Sequence, residues 1–318
     1  MDRRDFLGGT LATNALIAAA QGAQAPGAAG AAAEGVVIER AVTGQPHAGK
    51  VLAAIQPHAD DIPLFAAGTT AKLIAEGYTA YLIRITNDDM TGGGTVGDGV
   101  RNNEADNQEV ARLFGCRQVF DLNYNNHRLD QISLVELRAR LIFLIRLLKI
   151  DTVICYDPWG PYEENPDHYV TARAVESASW MAGMGKDYAE HLAAGLRPHL
   201  VKEKYYFARG PQLVNRVVDI TSTVEKKIDV LCANKTQGPA GDSGARLRAR
   251  LAAQNLRLPL LGNDDRTADR EYIRQFVLGD DAALGRRYGM GYAEKFHYIG
   301  PAAAEVSDYV KRNAVPLG

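Results

Sequence analysis

Strand-type and helix-type segments alternate along the first half of the chain, and this alternation is the strongest constraint on its fold. Four runs are apolar or β-branched and short enough for buried strands: KVLAAIQ (50–56), YTAYLIRITN (78–87), RQVFDLNY (117–124) and DTVICYD (151–157). Each is followed by a segment with helical spacing, at 61–77, 100–115, 133–150 and 168–183. Such an order predicts an α/β protein in which helices cover both faces of a mostly parallel sheet.

The second half is less regular but continues the same composition. VKEKYYFA (201–208) and NRVVDIT (215–221) have the pattern of two further strands. Helical patterns occupy 222–234, 243–257 and a segment from about 267 onward. Because no linker is visible after residue 36, we expect residues 36–318 to form one domain with an elaborated C-terminal part.

The N-terminus has the layout of an export signal. Arg3 and Arg4 precede a weakly apolar stretch that ends in the small-residue sequence AQA at 23–25. The start RRDFLG resembles the twin-arginine signal of bacteria, which implies transient contact with the twin-arginine export machinery and a periplasmic or extracellular location. The stretch is too short and too rich in alanine and glycine for a stable membrane span. Residues 1–35 are thus predicted as signal peptide and flexible linker.

The charge balance argues against a nucleic-acid partner. The formal net charge is −2, and lysine and arginine are scattered along the chain. One cluster, RLRAR at 246–250, fits the solvated face of a helix. A basic surface of the kind that binds phosphate backbones is therefore not expected.

Polar side chains cluster directly after the first and the fourth predicted strands. PHADD (57–61) follows the first strand, and YDPWGPYEENPDHYV (156–170) includes the end of the fourth. Ligand sites of open α/β sheets form at the carboxyl ends of strands. If the two strands are neighbours, as in many doubly wound sheets, the two clusters face each other.

Such a pair of clusters suits a metal ion. Two neutral imidazoles and one carboxylate are a common zinc ligand set, with a fourth position left for water. His58 and Asp61 are three residues apart on a first helical turn, so that both can reach one ion, and His168 opens the following helix. Asp60 lies between them and points elsewhere. A free carboxylate beside a metal-activated water has the properties of a general base.

The two clusters resemble the signature motifs of a known family. PHADD is similar to the HPDD motif of the PIG-L/LmbE-type zinc de-N-acetylases, and NPDH at 165–168 to their downstream HPDH motif. The resemblance covers about residues 50–185 and includes RNNEADNQEVARLFG (101–115), while GYAEKF (291–296) resembles a C-terminal element. It implies a Rossmann-like three-layer sandwich and removal of an N-acetyl group from an N-acetylglucosamine-type sugar or glycoconjugate.

The resemblance also implies a role for each motif residue. His58, Asp61 and His168 would bind one Zn²⁺ per chain. Asp60 would take a proton from the zinc-bound water that attacks the acetamide carbonyl, and would then protonate the leaving amine. Tyr162 resembles a mobile tyrosine that polarises this carbonyl. Arg101 is expected to contact the substrate.

One departure from the family pattern bears on catalysis. Asn165 stands where the family has the first histidine of HPDH, whereas the alanine that replaces the usual proline of HPDD only loosens a turn. An imidazole can carry a positive charge beside the oxyanion, but an amide donates only a neutral hydrogen bond. Loss of one such stabilising group commonly costs about 10²-fold in rate. Asn165 thus fills the position alone, is assisted by another residue, or leaves a weakened enzyme.

Other interpretations of the same residues stay open. Asp60 or Asp61 alone would serve as a helix N-cap. An acidic pair after a strand is also found in Mg²⁺-dependent phosphoacceptor domains, and Asn165 is compatible with a carbohydrate-binding member of the fold that has lost catalysis. GGGTVG (92–97) matches a dinucleotide motif, but its long acidic loop favours a mobile rim of the pocket. Four histidines have no identifiable partner and are expected at the surface or in the core, the one at 297 being the first to examine: His127, His191, His199 and His297.

Overall fold

The computed structural model describes residues 35–301 and 305–316. The predicted signal peptide and linker, except for its last residue, lie outside the described residues. Across the described ranges, no helix combines the length and the apolarity that a membrane crossing requires.

Eight strands of the described residues form one sheet, with the order β1-β7-β8-β6-β5-β2-β3-β4. In chain order the strands are β1 (Val37–Glu39), β2 (Val51–Gln56), β3 (Thr79–Thr86), β4 (Gln118–Tyr124), β5 (Thr152–Tyr156), β6 (Glu203–Phe207), β7 (Arg216–Asp219) and β8 (Ala293–Ile299). Neighbours are parallel except where β8 pairs with β6 and β7. The mostly parallel sheet predicted from the sequence is confirmed, although the sequence patterns reveal neither β1 nor β8.

Helices cover both faces of this sheet. They are α1 (Asp61–Phe65), α2 (Ala67–Ala75), α3 (Val96–Phe114), α4 (Leu134–Leu148), α5 (Pro166–Met181), α6 (Ala189–Ala193), α7 (Val224–Ala233), α8 (Ser243–Ala252), α9 (Asp265–Tyr272), α10 (Gly279–Arg287) and α11 (Glu305–Asn313). Helix α4 packs on α5, whereas α2 and α3 pack on α7. The predicted Rossmann-like three-layer sandwich is confirmed.

The central strands explain why the sequence patterns there are apolar runs rather than alternations. Residues 52–56 of β2 and all of β5 are buried, as expected for strands covered on both faces. The edge strand β4 is mostly half-buried instead. Because β2 and β5 are held in the core, the loops that carry the two polar clusters start from fixed positions.

The strand order reverses between β2 and β5, because later strands are added on opposite sides of this pair. Strand β2 pairs with β3 on one side and with β5 on the other, so that Ala53 lies opposite both Tyr81 and Val153. The chain runs from β2 to β3 and β4, then returns to build β5 and β6 on the far side. The neighbouring positions expected for the first and fourth predicted strands are therefore confirmed. A crevice forms at such a switch point, beyond the carboxyl ends of the two strands.

A buried ion cluster starts α2 and splits the single helix predicted for 61–77. Lys227 is fully buried, with Nζ 2.8 Å from Glu294 Oε1 and 2.7 Å from Asp281 Oδ2. The two carboxylate oxygens of Glu294 accept the backbone N–H groups of Gly68 and Thr69, at 2.9 and 2.8 Å. These amides belong to the first turn of α2 and have no partner within the helix. The carboxylate from β8 therefore supports a new helix start here.

Replacement of Glu294 by alanine is expected to lower the free energy of unfolding by about 3–5 kcal/mol, because it leaves a buried ammonium group undercompensated. Two helix amides would also lose their acceptor. Urea denaturation followed by circular dichroism measures the loss. Lys295→Ala is the matched control, since Lys295 is exposed on the same strand and its removal should change stability by no more than about 0.5 kcal/mol. Equal losses in the two variants would contradict the role of the cluster.

Candidate metal centre

Two loops at the carboxyl ends of β2 and β5 bring three predicted metal ligands into one buried cluster. His58 follows β2, Asp61 is the first residue of α1, and His168 lies in the first turn of α5. One nitrogen or oxygen atom from each lies within 4.8 Å of the others. The three residues are only 5%, 3% and 3% exposed. The pairing of the two strands thus produces the juxtaposition that the two motifs require.

The polar atoms of the cluster face a common point. His58 Nδ1 lies 3.0 Å from His168 Nε2. The Asp61 carboxylate spans both rings, with Oδ2 3.5 Å from His58 Nδ1 and Oδ1 3.5 Å from His168 Nε2. Its Oδ2 also accepts the backbone N–H of His58 at 2.8 Å, which fixes the orientation of the carboxylate.

The outer nitrogens of both imidazoles face carboxylates. His58 Nε2 lies 3.0 Å from Asp167 Oδ2, and His168 Nδ1 lies 3.1 Å from Glu163 Oε1. A carboxylate on the outer nitrogen holds the proton there and turns the lone pair of the inner nitrogen toward a metal. Two such lone pairs and a carboxylate at one point repel each other unless a proton or a metal cation lies between them. The donor set therefore fits a divalent metal ion.

Asp167 is itself held rigidly from the opposite side. It is fully buried, and its oxygens accept the backbone N–H groups of His127 at 2.5 Å and Leu129 at 3.1 Å. These amides come from the loop after β4, which thereby supports His58. The sequence motif NPDH contains Asp167, but nothing in the motif indicates that its carboxylate reaches back to the first loop.

Tyr156 is a second supporting residue that the sequence does not single out. Its hydroxyl donates to Asp61 Oδ1 at 2.7 Å. Its ring stacks on His168 with centroids 4.1 Å apart and planes 16° apart. As the last residue of β5, Tyr156 fixes one ligand from each loop.

The site is electrostatically suited to a cation. Burial alone would lower the pKa of His58, but the carboxylates of Asp167 and Asp61 raise it well above its usual value. Burial would raise the pKa of Asp61, yet the neighbouring His168 and His58 hold it below its usual range. The raised pKa of His58 reports the carboxylates around its ring, and the lowered pKa of Asp61 reports its attraction to the two imidazoles.

Asp60 lies beside the three ligands without belonging to them. It stands at the N-cap position of α1 but makes no capping hydrogen bond, because Gln56 Oε1 accepts the N–H of Ile62. The interpretation of Asp60 as a helix N-cap is therefore wrong. Burial, reinforced by the charge of Asp61, raises the pKa of Asp60.

A glycine of another loop lies directly against this carboxylate. A Cβ atom at Gly238 would lie 2.9 Å from Asp60 Oδ2, and the residue has a φ of +80°. Asn234 anchors the same loop through a 2.7 Å hydrogen bond to the carbonyl of Ala59. The segment 234–241 thus forms part of the wall around Asp60, and only glycine fits at position 238 without strain.

The remaining predicted site residues do not converge in the same way. Tyr162 is 88% exposed and has a φ of +62°. Arg101 lies on the exposed face of α3, where its guanidinium group pairs with Asp98. Asn165 is the N-cap of α5, since its Oδ1 accepts the N–H of Asp167 at 3.0 Å.

Two histidines expected at the surface or in the core contact the cluster or the loop that follows β5. The exposed ring of His127 makes an edge contact with His58, at a centroid distance of 6.1 Å. His297 Nδ1 lies 3.3 Å from Asp157 Oδ2, and its ring lies 5.4 Å from that of Trp159. Both contacts join residues far apart in sequence, and no local spacing indicates them.

The glycine-rich loop does not form a phosphate site. Thr95 and Asp98 form a capping box in which the Asp98 carboxylate accepts the N–H of Thr95 at 2.9 Å. An acidic group therefore already occupies the N-terminus of α3, where a dinucleotide pyrophosphate would bind. Farther back in the loop, Asp88 is buried and bonds to Arg84. The dinucleotide interpretation is not supported.

The structure is a doubly wound α/β fold with a buried His–Asp–His cluster, a candidate metal site, at its switch point. Comparison with known families adds the identity of the class. Residues 53–179 match the PIG-L family, described as GlcNAc-PI de-N-acetylase. The resemblance of the two motifs to the PIG-L/LmbE type is thereby confirmed over this part of the chain.

Individual relatives agree with this assignment. A diacetylchitobiose deacetylase of Thermococcus kodakarensis is 28% identical over 198 residues, which cover 60% of this chain and 71% of that protein. The N,N′-diacetylchitobiose deacetylase of Pyrococcus horikoshii has the same fold, with a TM-score of 0.63, 22% identity and coverage of 81% and 88%. A 4-carboxy-2-hydroxymuconate hydratase from Pseudomonas putida also shares it, with a TM-score of 0.56, 16% identity and coverage of 80% and 98%. The fold alone therefore does not fix the reaction.

Asp167→Asn is expected to weaken metal binding by about 10–100-fold, because an amide holds the outer nitrogen of His58 less firmly than a carboxylate does. Competition with a chromogenic chelator measures the dissociation constant for zinc. Glu164→Gln, an exposed change in the same loop, is the control and should leave the constant unaltered. An Asp167→Asn protein that folds and binds zinc as tightly as the control would show that Asp167 does not support His58.

Proposed function

We propose that this protein is a zinc-dependent hydrolase that removes an N-acetyl group from an N-acetylglucosamine-type amino sugar. The observation that carries the proposal is the buried cluster of His58, Asp61 and His168, whose outer nitrogens face two carboxylates. The family match and the curated relative named as a diacetylchitobiose deacetylase support the substrate class. They also favour hydrolysis over the hydration reaction of the more distant structural relative.

Zinc is the ion that best suits this donor set. Two imidazole nitrogens and one carboxylate are typical of catalytic zinc sites, whereas magnesium and calcium prefer oxygen ligands. A bound zinc ion supplies a Lewis acid that activates water and polarises an amide carbonyl near neutral pH. The Mg²⁺-dependent phosphoacceptor alternative is disfavoured, because both imidazoles lie in the cluster and that chemistry does not use them.

Asp60 is the residue to which we assign proton transfer. Its carboxylate adjoins the ligand Asp61 and does not cap the helix. Its raised pKa, caused by burial and by the charge of Asp61, makes it a better proton acceptor than an exposed carboxylate. In this role it accepts the proton of the attacking water and delivers it to the leaving amine.

The oxyanion requires donors on the opposite side of the substrate carbonyl. Because Asn165 Oδ1 accepts a helix N–H, its Nδ2 is the atom that we assign to a neutral hydrogen bond with the oxyanion. Tyr162 is assigned to the same carbonyl after movement of its exposed loop toward the cluster. Arg101, exposed on α3, is assigned to contact with the substrate.

The proposal includes export. Arg3, Arg4 and the small-residue sequence at 23–25 carry this part alone, through their resemblance to a twin-arginine signal. A periplasmic or extracellular enzyme of this kind would act on sugars or glycoconjugates outside the cytoplasm.

His168→Ala is expected to reduce the zinc content of the purified protein, because it removes one of three ligands. Asp60→Asn is expected to retain zinc but to lower kcat by about 10²–10⁴-fold, since the base is lost. Elemental analysis and acetate release from N-acetylglucosamine and its oligomers measure the two effects. The reverse pattern would show that the roles are misassigned. A zinc-free protein that releases no acetate but binds these sugars would favour the carbohydrate-binding alternative.

Gly238→Ala is expected to lower kcat by about 10²-fold while zinc content stays unchanged, because a Cβ at 2.9 Å from Oδ2 displaces the Asp60 carboxylate. Gly93→Ala is the matched control, since a Cβ at that loop glycine meets nothing within 4 Å. Acetate release under saturating substrate compares the variants. Equal kcat values for Gly238→Ala and Gly93→Ala would show that the segment 234–241 does not position the Asp60 carboxylate.

A further inference from the structure

We propose that Asp88 is a positioning residue of the metal centre, an inference that rests on the proposed function. Asp88 lies two residues beyond the end of β3 and is fully buried. Its Oδ2 accepts the backbone N–H of Ala59 at 3.2 Å. Because Ala59 stands between the ligand His58 and the base Asp60, this one hydrogen bond holds the backbone from which both side chains start.

The end of β3 also holds the residue that precedes the first ligand. The carbonyl of Pro57 accepts the backbone N–H of Thr86 at 3.0 Å and the Thr86 hydroxyl at 2.8 Å. Two residues farther along, the Asp88 carboxylate binds the loop again at Ala59. The backbone is thus held on both sides of His58, by groups that do not contact the metal position themselves.

The hydrogen bond depends on a residue at which this chain departs from the family motif. Ala59 stands where HPDD has a proline. A proline ring restrains the backbone but leaves no N–H to donate. Alanine has no such ring, yet it provides the N–H that Asp88 accepts. A buried hydrogen bond therefore supplies a restraint in this chain where the motif uses a ring, and it counters the looser turn expected from the alanine.

Asp88 is itself oriented by partners on three other parts of the fold. Its Oδ2 also accepts Nη1 of Arg84, on β3, at 3.0 Å. Its Oδ1 accepts Nδ2 of Asn126, in the loop after β4, at 3.4 Å. Its carbonyl accepts Nδ2 of Asn103, on α3, at 3.3 Å. A carboxylate bonded in this way has little freedom to move away from the loop after β2.

The backbone at position 88 explains why aspartate suits it. Asp88 has a φ of +57°, in the left-handed region that few residues other than glycine, asparagine and aspartate adopt readily. Of these three, only aspartate combines two acceptor oxygens with a negative charge for a guanidinium. Residues held in this region often lie at functional sites.

Neutralisation of Arg84 alone would be a purely structural role for Asp88. Arg84 is only 1% exposed and requires an anionic partner. It has a second one, since its Nε donates to Asp121 Oδ1 at 2.7 Å. Asp121 lies on β4, and among the hydrogen bonds of the described residues it has none to the loop 57–61. Both carboxylates stabilise Arg84, but of the two only Asp88 reaches the loop, which makes Asp121 the matched control.

Asp88→Gly, compared with Asp121→Ala, tests the inference on the full-length zinc-loaded protein. Each variant removes one carboxylate from Arg84, and glycine suits the left-handed backbone. For Asp88→Gly we expect zinc binding weaker by about tenfold. We also expect kcat lower by about 10²-fold at unchanged KM, because the base shifts while the substrate contacts remain. Asp121→Ala should leave zinc affinity and kcat unaltered. Chelator competition and acetate release measure these constants, and equal values in the two variants would overturn the inference.

Ala59→Pro deletes the same hydrogen bond from the side of the loop, and its ring would point at the Asp88 carboxylate. It should lower kcat and zinc affinity as Asp88→Gly does. The double variant should be no more impaired than the weaker single variant, because both changes remove one interaction. Circular dichroism verifies folding. Additive losses would contradict the inference, and so would wild-type kcat and zinc affinity in Ala59→Pro, which decides the matter alone if Asp88→Gly does not fold.

Hydrogen exchange at the Ala59 amide separates this inference from the proposed function. If the wild-type protein releases no acetate or binds no zinc, the proposed function fails, and the exchange rate decides the role of Asp88. Faster exchange in Asp88→Gly than in Asp121→Ala would then support the restraint, whereas equal rates would refute it. Acetate release by the wild type, with equal constants in the two variants, would leave the deacetylase standing and remove Asp88 from it.

Discussion

The parallel pairing of β2 with β5 is the interaction on which the site depends. Three residue pairs fix its register, Leu52–Thr152, Ala53–Val153 and Ala54–Ile154. Both strands are packed into the core on both faces, so that a shift in register would disrupt the close packing of their side chains. With this register, Tyr156 at the end of one strand bonds to Asp61, which begins the helix after the other. The two ligand loops are therefore coupled through buried contacts before any ion binds.

Around this pairing, negative groups are arranged so that each has a defined partner. Asp61 spans the two imidazoles, while Asp167 and Glu163 hold their outer nitrogens. Backbone N–H groups from the loop after β4 and the guanidinium of Arg209 hold these two carboxylates in turn. A buried charge is costly unless it is paired. Here the paired groups surround a point that faces three electron-pair donors, namely the inner nitrogens of the two imidazoles and the Asp61 carboxylate. A cation at that point would complete the arrangement, and metal affinity would then depend on the positions of residues that never touch the metal.

The sequence predicts the parts of this arrangement that are local. Alternating segments give the sheet, and two short motifs give His58, Asp61 and His168. The supporting contacts are not local: Tyr156 and Asp61 are 95 residues apart, and His58 and Asp167 are 109 apart. The split between α1 and α2 also escapes prediction, since it depends on a carboxylate more than 200 residues away.

Asn165 has a structural role in this chain at the position to which the proposed function also assigns a chemical one. Asparagine is among the preferred helix N-caps, and here it accepts the N–H of Asp167. The substitution thereby strengthens the start of α5, which carries both Asp167 and His168, at the expense of an imidazole beside the oxyanion. Two groups that can be cationic remain close by, His127 against the ring of His58 and Arg209 on Glu163. Because charge near a developing oxyanion acts over several ångströms in a buried site, the loss of one imidazole need not abolish turnover. In the proposed enzyme, the same position would then hold the start of α5, and neighbouring loops would supply part of the electrostatic stabilisation.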